Sequence, residues 1–111
     1  MNNLLEKQQQ FPTMVAELIL FAYGKGYKLT FGEALRTEEQ AKIYEEKGIG
    51  ISNSLHCKKL AIDLNLFKDD IYLDKTEDHL ELGEYWESLG GCWGGRFDDG
   101  NHYSIEYEGV K

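Results

Sequence analysis

The sequence contains little cysteine, little proline and no long apolar run. Two cysteines, Cys57 and Cys92, and one proline, Pro12, occur in 111 residues. A secreted domain of this size that is stapled by disulfides usually has more cysteines, so we expect two reduced, half-buried thiols. No stretch approaches the roughly 20 apolar residues of a membrane span, and segment 1–7 lacks the basic start and apolar core of a signal peptide. We therefore expect synthesis in a cytoplasm, without a membrane anchor.

Basic residues are also scarce. Lys and Arg number 12 against 20 Asp and Glu, which gives a net charge of −8. Nucleic-acid affinity depends on cationic side chains that neutralise phosphates, so this balance argues against a nucleic-acid partner. Hydrophobic residues make up 41%, enough to fold one modest core. We expect one monomeric domain over residues 1–111, with residues 1–12 as a loose amino-terminal segment.

Hydrophobic periodicity predicts alternating helices and strands. Apolar residues recur at helical spacing in three segments, whereas three others are rich in branched residues or alternate between apolar and polar side chains. The predicted helices are Thr13–Tyr23, Thr37–Lys47 and Thr76–Leu89, and the predicted strands are Tyr27–Leu35, Leu60–Phe67 and His102–Tyr107. Short links and the lack of a regular βαβ order predict a small α+β domain with a mainly antiparallel sheet and about three helices.

Four residues have the chemistry of a metal site. His56 is followed seven residues later by Asp63, and Asp99 stands three residues before His102. Two imidazoles and two carboxylates can provide three ligands to one ion such as Zn²⁺, with the fourth group left to act on a bound water. Asp63 lies among aliphatic residues, where an unpaired buried carboxylate is costly. The alternative is an edge-strand aspartate that faces water, with two unrelated histidines.

Other polar and aromatic residues have simpler interpretations. His79 lies among acidic residues at the start of the third helix and is predicted to be a surface histidine. Asp98 competes with Asp99 for a catalytic role, although its position favours a turn residue. Trp86 has the spacing of a core residue, and Trp93 is expected to pack beneath the site.

Three segments resemble the M15 family of zinc peptidases. Residues 54–63, Ser-Leu-His-Cys-Lys-Lys-Leu-Ala-Ile-Asp, resemble its Ser-x-His-x6-Asp segment. Residues 93–102 resemble its Trp-Gly-Gly run, which leads to an acidic residue three before the last histidine. Residues 35–40 resemble the strand-to-helix turn that carries the family's substrate-site arginine. The family contains D-Ala-D-Ala carboxypeptidases and dipeptidases, and phage endolysins that cut L-alanyl-D-glutamate bonds.

The resemblance implies a carboxypeptidase-like or hedgehog-like fold and a role for each matching residue. It implies that Zn²⁺ is bound by His56, Asp63 and His102, and that Asp99 is the general base. Arg36 would contact substrate or oxyanion, and Ser54 would assist beside the metal. The substrate would be the stem peptide of peptidoglycan, reached from the host cytoplasm after release.

Two features bear on the choice within the family. The carboxypeptidases usually have glutamate where this chain has Asp99, so the resemblance favours the L-Ala-D-Glu endopeptidases. Lys59 stands where the family often has glycine. The alternatives are a D-Ala-D-Ala carboxypeptidase or dipeptidase, and a non-catalytic cell-wall-binding module with the same fold.

Overall fold

The protein is an α+β domain built on an antiparallel sheet, as predicted. A computed structural model of the protein describes residues 3–47 and 55–111. The sheet has the strand order β1-β2-β5-β4, and β3 pairs with the free part of β2. The α-helices are α1 (Asn3–Gly24), α2 (Glu38–Glu46) and α3 (Leu80–Ser88), and the strands are β1 (Lys28–Phe31), β2 (Ala61–Lys68), β3 (Ile71–Leu73), β4 (Cys92–Trp93) and β5 (His102–Ser104).

Helix α1 begins at Asn3, so the predicted start at Thr13 is wrong. Residues 3–12 of the segment expected to be loose are helical because they continue the apolar face of the helix. Phe11, Met14, Val15, Leu18 and Ala22 are buried at helical spacing, which indicates one continuous packing face. The ring of Phe11 meets that of Trp86 edge to face, with centroids 5.7 Å apart. This packing outweighs the cost of the interior Pro12, which lies on the exposed side of the helix.

Strand β2 is the centre of the sheet. Its residues alternate between buried and half-buried positions, and it pairs with β1, β3 and β5. Strand β1 is shorter than predicted, but its pairing to β2 continues beyond Phe31. The amide of Gly32 donates to the carbonyl of Asp63 at 2.8 Å, and the amide of Asp63 donates to the carbonyl of Glu33 at 2.8 Å. The chain before α2 is thereby held against Asp63.

The third predicted helix is divided. A 3₁₀-helix, Thr76–His79, precedes α3. Trp86 is fully buried as predicted, together with Leu82, and the indole N–H of Trp86 donates to the carbonyl of Ser104 at 2.9 Å. The prediction for His79 is wrong: it is only 2% exposed. It is buried because its ring packs against β5, with Nδ1 2.8 Å from the hydroxyl of Tyr103.

Two further predictions concern the cysteines and the last strand. Cys57 and Cys92 are thiols of intermediate exposure, as predicted. Strand β5 ends at Ser104 instead of Tyr107, because Tyr107 turns to pair with Val110. Among the described helices, none is both long and apolar enough to cross a membrane.

Candidate metal centre

The register of the central strands brings two of the four candidate residues together. Asp63 of β2 lies directly opposite His102, the first residue of β5. Directly opposed residues in an antiparallel pair point to the same face of the sheet. The Nδ1 atom of His102 lies 3.4 Å from Oδ1 of Asp63. Residues separated by 39 positions in the sequence therefore form one cluster.

His56 reaches the same carboxylate from a 3₁₀-helix, Leu55–Lys58, that leads into β2. Its Nε2 atom lies 3.3 Å from Oδ1 of Asp63. The chain turns between the helix and the strand at Lys59, which has a φ of +59°. This left-handed conformation is unfavourable for residues with a Cβ atom, whereas glycine adopts it without steric cost.

The three side chains have the chemistry and spacing of a divalent metal site. Two imidazole nitrogens and a carboxylate oxygen lie within 4.8 Å of one another. Around a tetrahedral Zn²⁺ with bonds of about 2.1 Å, neighbouring ligand atoms are about 3.4 Å apart. The distances of 3.3 and 3.4 Å from Asp63 to the two rings match this value. The residues therefore fit a first-row cation.

The orientation of the His56 ring is set from behind. Its Nδ1 atom lies 3.3 Å from the carbonyl oxygen of Ala34 and 3.8 Å from Oε1 of Glu33. An N–H at this position donates to the carbonyl of Ala34, and Nε2 is the ring nitrogen that faces Asp63. Such partners are typical of metal-binding histidines, because they select the tautomer and hold the ring.

The electrostatics of the cluster keep Asp63 ionised. Burial raises the pKa of this carboxyl, but hydrogen bonds from His102 and His56 outweigh burial and lower the pKa to about 2. For His56, burial lowers the pKa, but the hydrogen bond with Asp63 and its negative charge outweigh burial, and the net pKa is raised. The Asp63 carboxylate therefore carries a negative charge that faces both imidazole rings.

Asp99 is held beside this cluster by a tight turn. Its amide donates to the carbonyl of Gly94 at 2.9 Å, and its own carbonyl accepts from the amide of His102 at 3.1 Å. The residue as a whole is exposed, yet partial burial of its carboxyl raises the pKa of Asp99, and the charge of Asp63 raises it further while that of His102 opposes the shift. Asp99 is thus a carboxyl with a raised pKa that lies beside the three-residue cluster without belonging to it.

Comparison with known proteins identifies the family. A family model described as D-alanyl-D-alanine carboxypeptidase, of the M15 peptidases, matches residues 33–105, more than half of the chain. The chain belongs to the M15 peptidase family. The three residues of the cluster and the neighbouring Asp99 all lie within the matched segment.

The fold of this M15 peptidase is also similar to a solved structure. That structure is the L-Ala D-Glu endopeptidase ChiX of Serratia marcescens, with a TM-score of 0.69 and 17% sequence identity over 95% of this chain and 87% of that chain. At this identity the likeness establishes a shared fold. A search of curated proteins found no significant match.

The Trp-Gly-Gly run of the M15 peptidase supports the turn that carries Asp99. A Cβ atom on Gly94 would lie 2.3 Å from the carbonyl oxygen of Asp99 and 2.8 Å from Cβ of His102, so only glycine permits this close approach. The buried indole of Trp93 donates to the carbonyl of Gly100 at 2.7 Å. Asp98 ends the preceding 3₁₀-helix, Gly94–Phe97, with a φ of 64°, which agrees with its predicted role as a turn residue.

Arg36 lies close to His56 but is already paired. Its amide donates to the carbonyl of His56 at 3.2 Å, and its guanidinium is held by Oε1 of Glu33, with the Nε donor at 2.8 Å. Glu33 was not predicted as a site residue. The only signal in the sequence is an acidic residue three positions before the arginine, which is too common a spacing to indicate a site.

The structure thus brings His56, Asp63, His102 and Asp99 together. Arg36 lies next to His56, to whose carbonyl its amide donates. Ser54, the sixth residue that the resemblance assigned to the site, lies outside the described residues.

Proposed function

We propose that the protein is a zinc-dependent peptidoglycan peptidase that cleaves the L-Ala-D-Glu bond of the stem peptide. The observation that carries the proposal is the convergence of His56, Asp63 and His102 on one small volume, with Asp99 beside it. Zinc would be held by these three side chains through Nε2, a carboxylate oxygen and Nδ1. A divalent ion bound there would act as a Lewis acid and activate water for attack on the scissile carbonyl.

The chain's own residues would supply the proton transfers. The carboxylate of Asp99 accepts a proton from the attacking water and delivers it to the leaving amine. A raised pKa suits this double role, since a base with a pKa nearer to the working pH also becomes a better acid. Asp63 remains ionised and keeps its ligand oxygen available.

Arg36 would contact the substrate close to the scissile bond. A guanidinium presents a rigid fork of donors that matches a developing oxyanion or a carboxylate. Glu33 fixes the direction of this fork, because it accepts from Nε and Nη2 on one side of the group. The pair is partly buried, with side-chain exposures of 14% and 27%, so its charge attraction is less screened than that of a surface pair.

The L-Ala-D-Glu bond is favoured by two observations. The chain has aspartate at position 99, where the resemblance to the carboxypeptidases would imply glutamate, and the fold is similar to that of an L-Ala D-Glu endopeptidase. The description of the matching family model supports a second candidate, a D-alanyl-D-alanine carboxypeptidase. A non-catalytic wall-binding module would have no use for a proton-accepting carboxylate held beside the metal ligands.

Defined muropeptides distinguish these functions. Cleavage at L-Ala-D-Glu produces a new D-Glu amino terminus that mass spectrometry identifies, whereas carboxypeptidase activity releases D-Ala. Asp99→Asn is expected to reduce kcat by at least about 100-fold, the usual contribution of a general base. Asp70→Asn, in the exposed β2–β3 turn, is the matched control and should retain wild-type kcat. Wild-type turnover by Asp99→Asn would remove the catalytic assignment.

We also infer the biological setting of a phage endolysin that acts on the host wall after release from the cytoplasm. Purified protein should then lower the turbidity of a suspension of isolated cell walls, and should do so as a monomer in sedimentation analysis. Walls that stay turbid while soluble muropeptides are cleaved would contradict the endolysin role without affecting the chemistry.

A further inference from the structure

A polar pocket of about 180 Å³ is lined in part by Asp99. One wall is formed by Tyr72, Asp74 and the segment 75–76, and the other by the turn 98–101. His79 also lines it. Asp99 therefore lies next to both this pocket and His102 of the metal cluster, whose amide donates to the Asp99 carbonyl at 3.1 Å.

The hydrogen bonding of His79 determines which ring nitrogen carries its proton. The hydroxyl of Tyr103 is fully buried, and among the described residues its recorded partner is Nδ1 of His79, at 2.8 Å. A buried hydroxyl hydrogen without an acceptor is costly, so the Tyr103 hydroxyl donates to Nδ1. Burial also lowers the pKa of His79, which favours the neutral ring. The remaining proton is therefore on Nε2.

The Nε2–H group must point to the pocket. In the described part of the chain, no hydrogen bond to Nε2 is recorded, and no side-chain nitrogen or oxygen is fully buried without a partner. Nε2 is thus reached from solvent although the residue is only 2% exposed. The cavity that His79 lines provides this access, so one hydrogen-bond donor of the pocket is the Nε2–H group of His79.

The charges around this donor select a neutral ligand. Asp74, Asp98 and Asp99 line the pocket against a single cation, Lys75. A carboxylate would accept from Nε2–H but would be repelled by this excess of negative charge. A carboxamide has a carbonyl oxygen that accepts from Nε2–H and an NH2 group that donates to an aspartate, so it pairs with both the donor and the acceptors of the pocket.

The position relative to Asp99 indicates which substrate group enters. If Asp99 protonates the leaving nitrogen, the α-carboxyl carbon of the leaving residue is only two bonds, or about 2.5 Å, from that nitrogen. We propose that this pocket binds the α-carboxamide of the leaving D-residue, so that the enzyme prefers D-isoglutamine to D-glutamate at this position. The inference rests on the proposed cleavage of the L-Ala-D-Glu bond.

Two stem peptides that differ only in this group test the preference. We expect the α-amide to be cleaved with about tenfold higher kcat/KM than the free acid, the effect of one or two net hydrogen bonds. His79→Asn keeps an acceptor near the position of Nδ1 for Tyr103 but removes the Nε2 donor. It should abolish the preference by raising KM for the amide while kcat stays unchanged. His79→Gln, which keeps a donor near the position of Nε2, should restore part of the preference.

Binding is measured separately from cleavage. Imidazole ¹⁵N spectra of the zinc-loaded wild type are recorded with the amidated product peptide, which begins with D-isoglutamine, and with its free-acid counterpart. A shift of the His79 Nε2 resonance with the amidated peptide but not with the free acid supports the proposed pocket. If neither stem peptide is cleaved, only the proposed function is refuted. An equal or greater response to the acid, no response to either peptide, or equal kcat/KM values would overturn the inference.

Discussion

Lys59 offers a test of how the loop before β2 is built. Its φ of +59° places it in the left-handed region, which costs a residue with a Cβ atom about 1–2 kcal/mol. Its side chain is exposed, so replacement by glycine removes little packing. Glycine removes this cost, but it loses more backbone freedom on folding, which offsets about 0.5–1 kcal/mol of the stabilisation. Lys59→Gly should therefore raise the free energy of unfolding by about 0.5–1 kcal/mol.

The measurement is chemical and thermal unfolding of metal-free protein, so that metal binding does not contribute. The stabilisation corresponds to an increase in Tm of about 2–4 °C for a domain of this size. Lys58→Gly is the matched control, because Lys58 lies within the 3₁₀-helix and should lose about 0.5–1 kcal/mol. If Lys59→Gly destabilised the protein as much as Lys58→Gly does, the argument from backbone conformation would be refuted.

Three further predictions concern the turn and the metal cluster. Gly94→Ala should cost about 1–3 kcal/mol of stability and most of the activity, because the new methyl group overlaps the carbonyl of Asp99. Gly24→Ala is the control in the same unfolding and turnover assays, and it should be tolerated because its methyl group has no neighbouring atom within 4 Å. In metal-free protein the pKa of Asp63 is lowered from 3.8 to about 2, which adds about 2 kcal/mol to the free energy of unfolding. This stabilisation is fully present above pH 4 and is lost as the pH falls toward 2. Asp63→Asn should remove this step from a pH series of urea unfolding curves. The raised pKa of His56 has the opposite sign, so its contribution is present below pH 6.5 and disappears as pH rises through the raised value. Zinc at 1,000 times its Kd should stabilise the protein by about 4 kcal/mol. Calorimetry with and without a chelator measures this stabilisation, and an unchanged Tm would mean that the cluster binds no metal.

The site residues could be predicted because their chemistry is visible in their type and spacing. A carboxylate among the aliphatic residues of a predicted strand requires a partner, and His56 and His102 provide two. The strand that contains Asp63 was also predicted, over residues 60–67, and the structure has β2 at Ala61–Lys68. The hydrogen-bond partners of each candidate metal ligand could not be predicted from the sequence, since they depend on the register between strands.

Glu33 and His79 illustrate this limit. Glu33 lies beyond the regular part of β1, and its place behind His56 follows from the hydrogen bonds that join this segment to the backbone of Asp63. His79 has acidic neighbours in the sequence, which suggested a surface position, but its ring packs against Tyr103 from another element. Local composition could not predict either contact, because both are made with residues more than 20 positions away.

The start of α1 was missed for a related reason. Gln8–Gln10 and Pro12 interrupt the apolar pattern, so local propensity favours a start after the proline. Burial of Phe11 against Trp86 stabilises the earlier turns, and this contact exists only once α3 has packed against α1.

By itself, the sequence determined the fold class, the family resemblance and the donors available to a metal, because these depend on residue types, periodicity and motif order. Tertiary structure decided how the donors are used. The pairing of Asp63 with His102 brings the ligand atoms to about 3.4 Å, the carbonyl of Ala34 directs the His56 ring, and the absence of a side chain on Gly94 lets Asp99 approach. Such distances result from strands and turns packing against one another, and no local stretch of the chain contains that information.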